Sequence, residues 1–462
     1  MTIEEIRKQL DQGLATSKEI VLRYLERIAR YDGNLNSLAD LNHEALFIAE
    51  ALDEERRTKG PRGPLHGVPI LIKDNILTRD TMRTTANSHV FRDFYADEDA
   101  HLVTRLRDAG AIILAKANCS EFAYFMAMGT MPSGYGSMHG QVKHPYDDTI
   151  DPLGSSTGSA VAVAADLAPA SIGTETNGSL MSPAQQNGVV SIKPTVGLVS
   201  RRGIIPISLS QDTAGPMTKT VKDAALLLQG IVGADPEDIA TARVPDWSVD
   251  YLAACDADVA GMRVGLLNFT NHENTDEEKA ILDEASRALK KAGVKSVSID
   301  HLYDLPNNLL TLIHDFKRNM NAFLAHTVNA PVKTLKGIID ENNINARRNL
   351  KYGQKHLLQA EATDERLTDE TYLNQRFKEI AAVNAFLTLF ETHGVDAIVT
   401  PKVNGYAAVG GLPSLIVPAK KMTDKNPKGL LFIGKAFAEK TLFALARRYE
   451  RETNHRSSPD LP

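Results

Sequence analysis

Apolar residues recur at helical spacing through residues 3–31, among them Ile6, Leu10, Ile20, Leu22, Leu25 and Ile28, and Thr16 or Ser17 can cap a second helix. A further helix is expected over residues 41–58. After Pro61 the pattern changes to short apolar runs alternating with helices: VPILI at 68–72, a helix over 100–109, then AIILAK at 111–116. That alternation predicts an α/β layer structure. Further on, MRVGLLNF, a capped helix over 276–292 and VKSVSI read as a β-α-β element. A polar helical stretch over about 306–393 follows, AIVTP returns the chain to the sheet, and the final NHRSSPDLP reads as a frayed end.

Lys73 interrupts this picture. VPILI has the branched aliphatic content of a strand covered on both faces, and the lysine follows it directly. The ordinary outcome is a side chain that snorkels to solvent from the strand end.

Composition narrows the possibilities. With 462 residues, 43% hydrophobic and 24% charged, the chain can bury a large core without disulfide or metal staples. A net charge of -6 argues against a nucleic-acid partner. The two cysteines, Cys119 and Cys255, have no C-x-x-C spacing and suit a reducing compartment. The N-terminus has no basic segment leading into an apolar one, and no run of about 18 apolar residues occurs. These features predict no membrane partner and a cytoplasmic protein, and they leave the oligomeric state undetermined.

The unusual chemistry lies in two serine-bearing loops within a Gly, Ser, Ala and Thr-rich stretch: GSSTGSAVAVAADLA from Gly154 and GTETNGSLMSPA from Gly173. The first contains G-x-S-x-G, which would nominate Ser156 as an α/β-hydrolase nucleophile, but VKHPYDDTIDPL precedes it where that elbow needs a strand. In the second loop, ASIGTE reads as a strand and SLMSPAQQ can open a helix, so Ser179 sits where unpaired backbone N–H groups can converge. The competing reading is an ordinary strand-to-helix turn with a serine cap. A nucleophilic serine needs a base, yet none of the 13 histidines falls in these loops. A desolvated lysine can serve instead, which returns attention to Lys73. Ser156 and Ser159 read as groups that orient Lys73 and cap the following helix, and Cys119 as packing. RRNLK at 347–351 reads as a solvated helix face. No H-E-x-x-H or clustered ligand spacing occurs, so neither metal nor cofactor is expected.

At this level of detail the sequence resembles the amidase signature family, and within it the bacterial peptide amidases. The matching segments include GPLHGVPILIKDNI, MRTTANS, AKANCSEFA, DPLGSSTGSAVAVAADLAPASIGTETNGSLMSPA and NGVVSIKPTVGLVSRRGIIPISLSQDTAGPMTKTV, with looser likeness in GLPSLIVPA and GLLFIGKAFAEKTLFALARRYE. The resemblance implies one large α/β domain with a central mixed β-sheet covered on both faces by α-helices. Residues 1–60 would supply N-terminal helices packed on the core. Residues 61–235 would form the signature core with its catalytic loops, and 236–462 the remainder, with about 300–393 lining the substrate entrance.

Carried over position by position, the resemblance makes Lys73 the base, Ser155 a bridging serine and Ser179 the nucleophile, beside which Ser156 reads as a supporting group. The separation 179 - 155 = 24 residues agrees with the family's arrangement. Backbone N–H groups of Thr176, Asn177, Gly178 and Ser179 would form an oxyanion hole, and the Gly154–Ser155 peptide bond would be cis. The implied activity is hydrolysis of linear carboxamides, either peptide C-terminal amides or small aryl and alkyl amides, through an acyl-enzyme. Two alternatives stand beside it: a glutamine-hydrolysing subunit of the glutamyl-tRNA amidotransferase A type, and a catalytically degenerate binding protein. Departures from the family pattern at GQVKHP (140–145) and Leu180-Met181 lie near the expected acyl pocket.

Overall fold

The computed structural model describes residues 1–421 and 427–461. Its first two helices, Ile3–Asp11 and Ser17–Leu35, begin with capping boxes, Thr2 with Glu5 and Thr16 with Glu19. Thr16 is therefore the cap, and Ser17 is the first helical residue. The helix expected from residue 41 begins later, at Ala45. Leu38–Leu41 is instead a strand, held beside its neighbour by Asn42, whose Nδ2 donates to the Ile113 carbonyl at 2.7 Å. Four residues are too few to display a strand period, so this edge element left no mark in the hydrophobic pattern.

In chain order the strands are β1 (Leu38–Leu41), β2 (Pro69–Lys73), β3 (Ile112–Ala117), β4 (Tyr135–Gly136), β5 (Gly140–Gln141), β6 (Ala170–Glu175), β7 (Val190–Lys193), β8 (Thr213–Thr218), β9 (Arg263–Phe269), β10 (Lys295–His301), β11 (Ala397–Thr400), β12 (Ser414–Pro418) and β13 (Gly429–Ile433). β4 and β5 form a separate hairpin, and the others make one 11-stranded sheet in the order β1-β3-β2-β6-β8-β7-β12-β13-β11-β9-β10. β3, β2 and β6 are mutually parallel, as are β11, β9 and β10, while the strands between run antiparallel. The sheet is therefore mixed. Every residue of β2, β3, β6, β7, β8, β12 and β13 is buried, which requires helices on both faces; exposure is confined to strands nearer the two ends of the sheet.

The expected β-α-β element is present: β9 and β10 are parallel and flank the helix Asp276–Lys291, capped by Thr275. Residues 306–393 contain a run of helices, among them Leu309–His326 and Glu370–Thr392. The described part of the C-terminal tail, residues 454–461, is docked, and the last residue of NHRSSPDLP lies outside the described residues. Tyr146 donates its hydroxyl hydrogen to the Ser457 carbonyl at 2.7 Å, and His455 lies 2.9 Å from Glu284, so polar pairing holds a segment that composition alone marks as loose. Among the described residues no helix is long and apolar enough to cross a membrane.

The sheet order has one consequence for chemistry. Because β3, β2 and β6 are parallel neighbours, their C-terminal ends open on one side and deliver Asn118–Ser120, Lys73–Asn75 and Glu175–Ser179 to a common place. Open α/β sheets form their crevices at such strand ends.

Candidate active site

Lys73 does not reach solvent. It is the last residue of β2, its exposure is 0%, and its amine donates to Ser155 Oγ at 2.8 Å, Ser156 Oγ at 3.0 Å and Thr174 Oγ1 at 2.9 Å. Burial pulls its pKa down from 10.5 to about 8, against the attraction of Glu175 and Asp212. Asn75 donates to the same Thr174 hydroxyl at 3.1 Å and completes the cage around the amine.

The Gly154–Ser155 peptide bond is cis, and Ser155 is fully buried. Its carbonyl accepts from Ser120 N at 3.2 Å. Ser156 occupies the N-cap position of the helix Thr157–Ala164, yet its hydroxyl does not cap that helix. It donates to the Thr174 carbonyl at 2.9 Å and accepts from Thr174 N at 3.1 Å, tying the first serine loop to β6. Ser159 does not join Lys73; its hydroxyl is buried without a hydrogen-bond partner among the described residues. The helix is buried all round, so Ser159 faces packing rather than the amine.

The second loop runs from the end of β6 to the helix Met181–Gln186. Gly178 has φ +80°, a conformation that suits glycine and makes the turn. Ser179 follows with 9% exposure, and its carbonyl accepts from Ser156 N at 3.2 Å, so the two serine loops are joined through their backbones. Glu175 receives the N–H groups of Leu180 and Met181 at 2.7 and 3.1 Å, holding the start of the helix. Among the described residues, the N–H groups of Asn177, Gly178 and Ser179 meet no acceptor. Thr176 donates its hydroxyl hydrogen to Asp212 at 2.5 Å. Asp212 also accepts from Ile207 N and Ser208 N, and burial raises its pKa to about 6.

A cleft of about 760 Å³ opens over this loop, lined by Gly154, Thr176, Asn177, Gly178 and Ser179 on one side and by residues from 303–312 and 403–405 on the other. Its far wall is mainly apolar, with Leu305, Leu309 and Leu312. Asp151 is the sole charged side chain among the described lining residues. Leu180 and Met181 lie beside this cleft, between Ser179 and Ser182 of its lining, and neither they nor GQVKHP line it themselves. Gly140 and Gln141 belong to the β4–β5 hairpin, His144 faces the Gln186 carbonyl at 2.9 Å, and Leu180 is fully buried. Cys119 is buried and free, and burial pushes its thiol pKa up, away from nucleophilic chemistry. Among the described residues no group of three or more His, Cys, Asp and Glu side chains is arranged to hold a metal.

Gln211, Asp212 and Asn308 were not legible as site residues, because each joins the serine loop only through contacts across the fold. Pairing of β6 with β8 supplies the signal that sequence lacks. Glu175 faces Thr213, so the next positions along, Thr176 and Asn177, lie beside Asp212 and Gln211.

Comparison with known proteins agrees with this architecture. The family model described as Amidase matches residues 19–409. A peptide amidase structure from Stenotrophomonas maltophilia superposes with a TM-score of 0.93 at 38% identity, covering 100% of this chain and 98% of that one. A probable amidase of Arabidopsis thaliana is 37% identical over 476 residues, 99% of this chain and 91% of the relative. A glutamyl-tRNA(Gln) amidotransferase subunit from a Roseiflexus species is 32% identical over 491 residues, 100% of this chain and 98% of the relative. With a match along most of its length and a fold shared throughout, the chain belongs to the amidase family.

Proposed function

We propose that this amide hydrolase cleaves linear carboxamides through an acyl-enzyme on Ser179, with Ser155 as proton relay and Lys73 as base. The observation that carries the reading is the Lys73 amine, fully buried, depressed to about 8 and 2.8 Å from Ser155 Oγ. A neutral lysine accepts the Ser155 proton as Ser155 takes that of Ser179, and Ser179 Oγ attacks the amide carbon. Negative charge developing on the carbonyl oxygen meets N–H groups of Thr176, Asn177, Gly178 and Ser179. The proton returns through Ser155 to the nitrogen, the C–N bond breaks, and ammonia or amine leaves. Water then repeats the sequence on the ester, releasing a carboxylate and regenerating Ser179. Ser156 holds the amine in line with Ser155.

The cleft also bears on substrate. Glutamine would bring a carboxylate into a space whose described lining offers no cation, and burying an unpaired charge there is costly. This favours amides whose acyl part is apolar and carries no free carboxylate, such as peptide C-terminal amides, over glutamine. The helical stretch 300–393 would wall the substrate entrance, with its residues 303–312 nearest the loop. Two free, buried cysteines suit a reducing, cytoplasmic setting.

A hydrolysis screen over peptide amides, aryl amides, glutamine and esters, with Ser179→Ala as control, tests the proposal. Turnover of uncharged amides by the isolated chain, lost in Ser179→Ala together with labelling by a fluorophosphonate, is the expected result. Amide turnover that survives Ser179→Ala would overturn it.

A further inference from the structure

Three side-chain carboxamides form a closed ring with the serine loop. Asn177 Nδ2 donates to Asn308 Oδ1 at 3.1 Å, Asn308 Nδ2 donates to Gln211 Oε1 at 3.0 Å, and Gln211 Nε2 donates to the Thr176 carbonyl at 3.1 Å. Thr176 and Asn177 are consecutive, so the peptide bond between them closes the circuit. All three bonds run in the same sense, an arrangement in which each bond polarises the next.

Two details set this ring apart from incidental polar packing. Asn308 occupies the N-cap position of the helix Leu309–His326, where its side chain would ordinarily bond the helix's own N–H groups, yet it makes no such bond. Its amide is committed to Asn177 and Gln211 instead, and the neighbouring Asn307 accepts from Leu309 N at 2.9 Å. Gln211 is wholly buried and Asn308 nearly so, so water does not substitute easily for either partner.

The geometry points to Gln211, assisted by Asn308, as a positioning residue that fixes the direction of the Thr176–Asn177 peptide plane. This rests on the reading above, in which the loop's N–H groups bind the developing oxyanion. In a planar trans peptide the N–H of Asn177 points opposite to the carbonyl of Thr176. Binding that carbonyl from behind therefore aims the Asn177 N–H forward, toward the cleft that Asn177, Gly178 and Ser179 line. A hydrogen bond to the carbonyl also draws electron density from the amide nitrogen, which makes the N–H a stronger donor. Through Asn308 the same ring ties the loop to the helical stretch that forms the far wall of the cleft, so alignment of the donor and shape of the wall are set together.

The test compares Gln211→Glu and Asn308→Ala with the unmodified chain. The substrate is acetyl-leucyl-phenylalaninamide, or the amide turned over fastest in the screen above, and the inhibitor is the aldehyde with the same acyl group. Gln211→Glu, assayed at pH 9 so that the buried carboxyl is ionised, keeps an acceptor for Asn308 but sets an oxygen against the Thr176 carbonyl. Loss of a direct oxyanion donor lowers kcat by roughly 10²–10³-fold, so misaiming one of several donors is expected to lower it on the order of 10–100-fold. KM should stay within about threefold, and the aldehyde, whose adduct oxygen occupies the same hole, should weaken in proportion to kcat/KM. Asn308→Ala, which leaves the Gln211 donor in place, should lose several-fold by the same signature. If Gln211→Glu fails to fold, Asn308→Ala decides the matter alone. Unchanged kcat in the folded variants overturns the proposal, and so does a fall in kcat with aldehyde affinity unchanged. Failure of the underlying reading is recognised separately, by turnover that persists in Ser179→Ala.

Discussion

Replacing Lys73 with methionine should abolish amide hydrolysis and, against the usual trend for core polar groups, alter stability in a pH-dependent way. The amine is fully buried, and its pKa falls from 10.5 to about 8 on folding. Between those values the unfolded chain binds more protons than the folded one, so the stability of the native protein rises with pH across that window. Below about pH 8 the depressed lysine costs about 3 kcal/mol relative to an amine of ordinary basicity, at about 1.4 kcal/mol for each tenfold change in proton affinity, and the cost fades as pH approaches 10.5. Methionine fills a similar volume and carries no such cost, although it forfeits the bonds to Ser155, Ser156 and Thr174. Those losses are nearly independent of pH. The stability of Lys73→Met relative to the unmodified chain should therefore decline by about 2 kcal/mol between pH 7 and pH 9.5. Lys116 and Lys193 are also buried and depressed to about 8, which makes the absolute pH dependence of either protein uninformative. The difference between the two chains removes their contribution. Urea unfolding at both pH values measures it, and a difference that does not change with pH would refute the claim that Lys73 is held against its charged form.

The same depression predicts that kcat/KM for an uncharged amide rises about tenfold per pH unit below about 8 and levels above it, because the base must be neutral; a rate independent of pH from 6 to 9 would contradict this. Ser155→Ala should reduce amide turnover far more than turnover of the matching ester, whose leaving group needs less protonation; equal losses would count against a relay. Gly173→Ala should lower kcat at least tenfold and cost about 1–3 kcal/mol in stability, since a Cβ there would stand 2.7 Å from Leu180 Cδ2 and 2.8 Å from Ser156 Oγ, displacing the hydroxyl that braces Lys73 and Thr174. Kinetics and thermal unfolding of that variant check both parts.

Much of the fold was readable because its signals are local. VPILI, AIILAK and ASIGTE announce fully covered strands through consecutive branched and small apolar residues, and Thr16 and Thr275 start helices at positions their own side chains define. The elements that escaped notice lacked that local signature. β1 is four residues long, and the polar C-terminal segment gains its order from partners on distant elements, Tyr146 and Glu284. Leu180 and Met181 sit between Ser179 and Ser182, which both line the cleft, while their own side chains are buried in the core, a division that the sequence does not display. Adjacency to a serine loop in sequence does not fix which side of that loop faces the cleft.

The sequence by itself determined the kinds of element, the caps that begin several of them, and a lysine and two serine loops whose residue types suit acyl transfer. The lysine's surroundings and the bracing of the loops were decided only by tertiary structure. Parallel pairing of β3, β2 and β6 gathers three loops around one amine and removes it from water, which is what lowers its pKa. The β6–β8 register sets Gln211 and Asp212 beside the loop, and the helical stretch brings Asn308 to Asn177 across 131 residues of chain. Desolvation and long-range hydrogen bonds depend on what surrounds a residue in space, and no pattern along the chain encodes that surrounding residue by residue.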